Sequence, residues 1–151
     1  MHLERTIAAP VEQVFDWLAE PAHLAAAPLA LRADYARDSP GREVGAVREV
    51  TGVGTWFREE ITAYDRPRSY TYLIVRSFPP FHHEGGTLTF TPATFTPATS
   101  TAAGTGTHVD WLTNYTHPAW AGGRLLEAVS QRVLRSSFEA ILDACAEALE
   151  R

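Results

Sequence analysis

The chain has 151 residues, 13 Lys and Arg against 18 Asp and Glu, 45% apolar residues and a formal net charge of −5. A chain of this length buries about 68–70% of its unfolded surface, enough for a core and a ligand-sized cavity, so residues 1–151 read as one domain with no room for a second. The acidic balance, with no Lys/Arg stripe, excludes nucleic acid as a partner and disfavours an anionic membrane surface.

No apolar run approaches the roughly 18 residues of a membrane span, so no membrane insertion is expected. Met1-His2-Leu3-Glu4-Arg5 carries neither the basic nor the apolar region of a signal peptide, and the expected location is the cytoplasm. The single cysteine, Cys145, leaves no internal disulfide or cysteine-rich metal site and falls on an apolar helical stripe, which reads as core.

In chain order, His2 to Ala8 alternates as a first strand, closed by Ala9-Pro10. Val11, Val14, Phe15 and Leu18 recur at helical spacing until Glu20-Pro21, and a short second helix follows over about Ala22 to Ala27. Leu29 to Arg37 alternates weakly and ends at the turn Ser39-Pro40-Gly41. Val44 to Thr51, Gly54 to Tyr64 and Ser69 to Phe78 are rich in β-branched and aromatic residues and form a meander, with turns at Gly52-Val53-Gly54 and Asp65-Arg66-Pro67-Arg68. Pro79-Pro80 interrupts it, Gly85 to Thr91 resumes, and Thr107 to Thr116 is the last strand. From Gly122 to Arg151 the period becomes helical, with Leu125, Leu126, Val129, Val133, Leu134, Phe138, Ile141, Leu142, Cys145 and Leu149 on a stripe.

A tandem duplication, Phe90-Thr91-Pro92-Ala93-Thr94 followed by Phe95-Thr96-Pro97-Ala98-Thr99, stands before the last strand. Because Pro92 and Pro97 lack the N–H that a central ladder uses, residues 92–106 are expected to be an extended hairpin loop.

A curved antiparallel sheet of six to seven strands must cover its apolar face, and one long helix is the available cover. Such a sheet wrapped round a helix leaves space between them, which predicts an α+β architecture with a cavity for an apolar ligand.

The opening Ile7-Ala8-Ala9-Pro10-Val11-Glu12-Gln13-Val14-Phe15-Asp16-Trp17-Leu18-Ala19-Glu20-Pro21, the segment Glu59-Glu60-Ile61-Thr62-Ala63-Tyr64-Asp65-Arg66-Pro67, the strand Gly106-Thr107-His108-Val109-Asp110-Trp111 and the helix start Gly123-Arg124-Leu125-Leu126 carry a resemblance. They resemble the START-related helix-grip superfamily (SRPBCC), and within it the polyketide cyclase/dehydrase and lipid-transport group. The resemblance spans nearly the whole chain and implies a single START-like ligand-binding domain over residues 1–151, with a helix-grip fold and a cavity. The group contains carriers, cyclases and hormone receptors, so the resemblance does not specify a reaction.

Strand alternation puts Phe57, Glu59 and Ile61 on the cavity side of one strand and Tyr70, Tyr72, Ile74, Arg76 and Phe78 on the same side of the next. A carboxylate facing an apolar cavity is costly alone, so Glu59 is expected to pair with Arg76, either closing one end of the barrel or orienting a ligand's carboxylate or carbonyl. Of His82-His83-Glu84 one histidine is expected at the cavity mouth, and His82 is the choice. Two contiguous histidines without a third ligand at a recognisable spacing do not make a zinc site, so no metal and no cofactor is expected. His108 and Asp110 read as an exposed pair, and His117-Pro118 as a turn. The expected lining is completed by Phe15, Trp56, Trp111, Tyr115, Leu126, Val129 and Val133.

Two functions are open: a carrier or sensor of a lipid, polyketide or similar molecule, and a cyclase/aromatase or dehydratase with Glu59, Arg76, Tyr72 or Tyr115 as acid/base candidates. A third is a protein-interaction domain with an occluded cavity. A cyclase needs an acid/base pair within reach of one ligand and a carrier only one anchor, so binding is favoured over catalysis. The chain is expected to act as a monomer or homodimer.

Overall fold

A computed structural model describes residues 1–95, 104–117, 120 and 122–151. The elements run β1 His2–Ile7, α1 Val11–Ala19, a 3-10 helix Pro21–Ala26, β2 Ala30–Tyr35, β3 Val47–Gly52, β4 Thr55–Asp65, β5 Ser69–Phe78, β6 His82–Phe95, β7 Gly104–Thr116 and α2 Gly123–Leu149. The seven strands form one sheet in the order β1-β7-β6-β5-β4-β3-β2, every neighbouring pair antiparallel. Five consecutive hairpins generate all of it except β1, which returns beside β7 while α1 and the 3-10 helix carry the chain to the opposite edge. The sheet curls round α2, whose 27 residues span about 40 Å; this is the α+β helix-grip arrangement expected.

The packed core lies at one end of this grip. Val14, Phe15 and Leu18, at helical spacing on α1, bury against Leu3, Ile7, Leu88, Phe90 and Val109 of the sheet and against Ile141, Leu142, Cys145 and Ala146 of α2. Polar contacts fix the same end: the Tyr70 hydroxyl donates to Leu18 O at 2.9 Å, Thr107 Oγ1 donates to Ala9 O at 2.8 Å, and Arg5 pairs with Asp143. The other half of α2 is not sunk into the core. Leu125, Val129 and Val133 remain exposed although they continue the apolar stripe.

Two expectations change at strand level. Residues 92–95 and 104–106 are strand, not loop: Pro92 pairs with Thr107, Ala93 with Gly106, Thr94 with Thr105 and Phe95 with Gly104. Among the described residues β6 has no second neighbour there, so the missing N–H of Pro92 breaks no described ladder bond. Phe90 N still donates to Arg68 O at 2.8 Å, just before β5 begins, and Pro92, two residues on, turns its nitrogen to the same, now open, side. The rest of the expected loop, 96–103, lies outside the described residues.

The second change is a bulge. Glu59 faces Ile74 but Arg58 faces Arg76, which leaves Val75 as an extra residue in β5. From that point the two faces of β5 exchange. Arg76 and Phe78 lie opposite Arg58 and Trp56, and both are exposed on the outer surface.

Candidate functional site

Between the sheet and the exposed half of α2 is a cavity of about 280 Å³, near the lower end of the roughly 300–1,000 Å³ usual for small-molecule sites. Phe57, Ile74, Trp111, Phe138 and Ile141 give it apolar walls, and Leu29, Val53, Val129 and Val133 line it while remaining open to solvent.

Of the expected lining, Phe57, Glu59, Tyr72, Ile74, Trp111, Tyr115, Val129 and Val133 come together around this space. The others do not. Phe15 is fully buried in the core, edge-on to Tyr64, Tyr70 and Phe90, and Ile61 is also core. The bulge at Val75 removes Arg76 and Phe78, and the Arg76 guanidinium lies 5.9 Å from the ring centre of Trp56, which shares that outer face. Leu126 packs over Gly122 at the start of α2 and does not line the cavity.

The partner of Glu59 is therefore Arg48, not Arg76. Arg48 and Glu59 are directly opposite on β3 and β4, each 3% exposed at its side chain, and Arg48 Nη2 meets Glu59 Oε1 in an ion pair. Beyond this contact, Arg48 Nε and Arg48 Nη1 have no hydrogen-bond partner among the described residues. Tyr70 and Tyr72 place their rings 5.6 and 5.9 Å from the guanidinium carbon. Burial alone lowers the guanidinium pKa, but Glu59 and Tyr70 outweigh it and the net shift is upward, so Arg48 stays charged. Burial pushes the Glu59 carboxyl up, against the pull of Arg48.

His82 and His83 do point to opposite faces, as adjacent strand residues must, but the inward one is His83 and not His82. His82 is exposed and His83 buried. Gly85, at φ 108°, sits in the register shift that turns His83 in. Pairing of β5 with β6 ends at Tyr72 and Gly86, and beyond it the His83 ring replaces the missing strand: Ile74 N donates to His83 Nδ1 at 2.9 Å. An acceptor at Nδ1 puts the proton on Nε2, which donates to Thr113 Oγ1 at 2.8 Å. Burial, helped by the neighbouring His82, lowers the His83 pKa to about 4, so the ring is neutral at pH 7.

The tyrosines are equally committed. Trp111 Nε1 donates to the Tyr72 hydroxyl at 3.0 Å, and burial raises the Tyr72 pKa strongly. Burial pushes Tyr70 up to about 12; Tyr115, pushed up to about 12 by burial and then by Glu127, has a buried hydroxyl with no partner among the described residues.

His117, expected in a turn, is instead buried at the wall, with Nε2 3.0 Å from Ser130 Oγ of α2 and Nδ1 3.4 Å from Pro80 O. Sequence reasoning missed it and Arg48. His117 continues the inward parity of Trp111, Thr113 and Tyr115 on β7, a signal that was available.

His108 and Asp110 are surface residues, as expected, and with His2 and Glu4 they form a group outside the cavity. His2 Nε2 lies 2.9 Å from Asp110 Oδ1 and His108 Nε2 3.2 Å from Glu4 Oε1. The ligating atoms of His2, Glu4 and Asp110 fall within 4.8 Å of one another, which among the described residues is the arrangement that could accept a cation.

Solved structures of low identity share the fold. The protein TTHA0849 from Thermus thermophilus is 17% identical at a TM-score of 0.67, over 97% of this chain and 94% of that one. CV1439 from Chromobacterium violaceum is 16% identical at 0.62, over 100% and 97%. The di-domain ARO/CYC StfQ from the steffimycin biosynthetic pathway is 16% identical at 0.65, over 98% of this chain, which spans 45% of that protein. No curated protein matches. Residues 1–150 do match the model of the family described as "Polyketide cyclase / dehydrase and lipid transport", and the chain belongs to that family.

Proposed function

We propose that this single domain is a cytoplasmic carrier or sensor that holds an apolar small molecule, a lipid, polyketide or similar compound, between its sheet and α2, as a monomer or homodimer. One observation carries the reading: an apolar cavity of about 280 Å³ that opens between exposed apolar residues and has one ion pair, Arg48 with Glu59, in its wall. The family and the fold shared with StfQ fit a hydrophobic ligand. No helix among the described residues is long and apolar enough to cross a membrane. Binding is favoured over cyclase chemistry by the state of the acid/base candidates. Of the four candidates, Arg76 is outside the cavity, Tyr72 and Tyr115 hold their protons far above neutral pH, and Glu59 is held in a buried ion pair with Arg48; His83, which sequence alternation did not single out, uses both ring nitrogens. A proton-transfer group works best with a pKa near the working pH.

The neutral dye N-phenyl-1-naphthylamine should bind the folded protein at micromolar concentration with increased, blue-shifted emission. Val129→Trp should abolish this with little change in melting temperature, because Val129 lines the cavity yet is 55% exposed, so the added ring enters open space. In a solid core the same substitution would cost about 1–3 kcal/mol. No dye binding by the unmodified protein, together with strong destabilisation of the variant, would remove the carrier reading.

A further inference from the structure

Outside the cavity, the first and last strands bring two histidines and two carboxylates onto one patch of the sheet. β1 and β7 pair with His2 opposite Leu112, Glu4 opposite Asp110 and Thr6 opposite His108. Leu3 and Ile7 are buried in the core, so alternation turns His2, Glu4 and Thr6 to the outer face, with His108 and Asp110 beside them. His2 Nε2 lies 2.9 Å from Asp110 Oδ1, and the ligating atoms of His2, Glu4 and Asp110 are all within 4.8 Å of one another. Ligand atoms held about 2.0–2.2 Å from one ion stand about 2.9–3.5 Å apart, so one pair already has the spacing and Glu4 reaches it by side-chain rotation. The backbone under His2 is fixed: Met1 O accepts from Thr113 N at 2.9 Å, and His2 O accepts from Arg135 Nη2 of α2 at 3.1 Å. His108 orders Glu4. In the tautomer with the proton on Nε2, that nitrogen donates to Glu4 Oε1 at 3.2 Å and Thr6 Oγ1 donates to Nδ1 at 3.3 Å, which leaves Glu4 Oε2 for an ion. Glu4 and Asp110 stand directly opposite each other, and two carboxylates so placed repel unless a cation lies between them.

We propose that His2, Glu4 and Asp110 form a surface site for a divalent transition-metal ion, Zn²⁺ or Ni²⁺, with water completing the coordination and His108 as a positioning residue. The donor set carries the choice of ion. An imidazole nitrogen suits zinc, nickel and copper, whereas magnesium and calcium take oxygen ligands and gain nothing from it. The three ligands come from both sides of the β1–β7 pairing, and β1 is an edge strand held in the sheet by β7. A bound ion therefore staples that edge, and stability rises with its concentration. Such a site carries no local sequence signature, because His2 and Asp110 are 108 residues apart. It lies outside the cavity and does not depend on the ligand-binding reading.

Calorimetric titration of the full chain without an affinity tag, at pH 7, should show one Zn²⁺ bound at micromolar concentration and no uptake of Mg²⁺ or Ca²⁺ offered at millimolar concentration. Zn²⁺ should also raise the melting temperature. His2→Ala and Asp110→Asn should each weaken Zn²⁺ binding at least about tenfold, since each removes a ligand. His82→Ala, which alters an exposed histidine outside the group, should leave the affinity unchanged. His108→Ala should weaken binding by a smaller factor, and His108→Gln, which keeps an N–H donor near Glu4, should restore it. All of these side chains are at least partly exposed, so the variants should keep the fold, and their melting curves check that they do. No Zn²⁺ binding at millimolar concentration, or full affinity in a folded His2→Ala protein, overturns the site. Ca²⁺ bound as tightly as Zn²⁺ overturns the role of the imidazole. The same affinity in His108→Ala and His108→Gln overturns the positioning role of His108.

Discussion

At the level of single residues, His83 links the cavity to pH. Its ring is neutral in the folded state, with a pKa lowered to about 4, against an ordinary value of 6.5. Below pH 6.5 the unfolded chain takes up a proton that the folded protein refuses. This contribution to stability is therefore complete above about pH 6.5, is lost progressively as pH falls towards 4, and changes no further below that. His83→Asn keeps an acceptor near the Ile74 amide but does not titrate. The unmodified protein should lose stability relative to this variant between pH 6.5 and 4, read as the difference of their denaturation midpoints at each pH. A constant difference across that window would show that the ring is not buried as described. Arg48, which eluded the sequence, sits three strands away on β3. In Val47-Arg48-Glu49-Val50 the two valines have opposite parity, so alternation cannot tell which face is inward, and a charged residue is a poor first choice for burial. Glu59 was legible because Phe57 and Ile61 flank it at period two. Its partner was not, because pairing across a sheet depends on register, and a bulge in β5 changed the register at Arg76.

The elements themselves were largely legible. Hydrophobic period located all seven strands and both α-helices, since strand alternation and the stripe of α2 are strong local signals. What period cannot report is where a neighbouring strand ends. That is why Pro92 looked like the edge of a loop, when it occupies a one-sided stretch of ladder. The same dependence on neighbours makes Gly86 a sensitive position. It stands opposite Tyr72 in the β5–β6 pairing, and the Tyr72 ring occupies the place a side chain would take: a Cβ at Gly86 would collide with the ring's Cζ, Cε1 and hydroxyl. Tyr72 is buried, stacked on His83 at 5.4 Å and bonded to Trp111, so it has little freedom to retreat. Gly86→Ala should destabilise the protein by about 1–3 kcal/mol, measurable by urea denaturation, and should weaken dye binding because the displaced ring moves into the cavity. Unchanged stability would mean that Tyr72 has another accessible rotamer.

For the molecule as a whole, α2 joins two environments that the sequence presents as one continuous stripe. Periodicity marks which side of a helix is apolar, but not whether a sheet lies close enough to cover it, so the cavity was deduced from architecture and its position was not visible. The C-terminal half is clasped by the core and by side-chain contacts, including the Arg5–Asp143 pair and the bond from Ala8 N to Glu150 Oε1 at 2.9 Å. The N-terminal half faces empty space on one side and water on the other. A single rod with unequal support should not open as one unit. Backbone amides of residues 127–134 should exchange with deuterium by local fluctuation well before those of 138–149, whose exchange should approach the limit set by global unfolding. A cavity-filling ligand would then slow the first group selectively, so that the helix carries a record of occupancy in its own exchange rates. Uniform rates along α2 would show that the two halves share one free energy of opening, and entry to the cavity would require the protein to loosen as a whole.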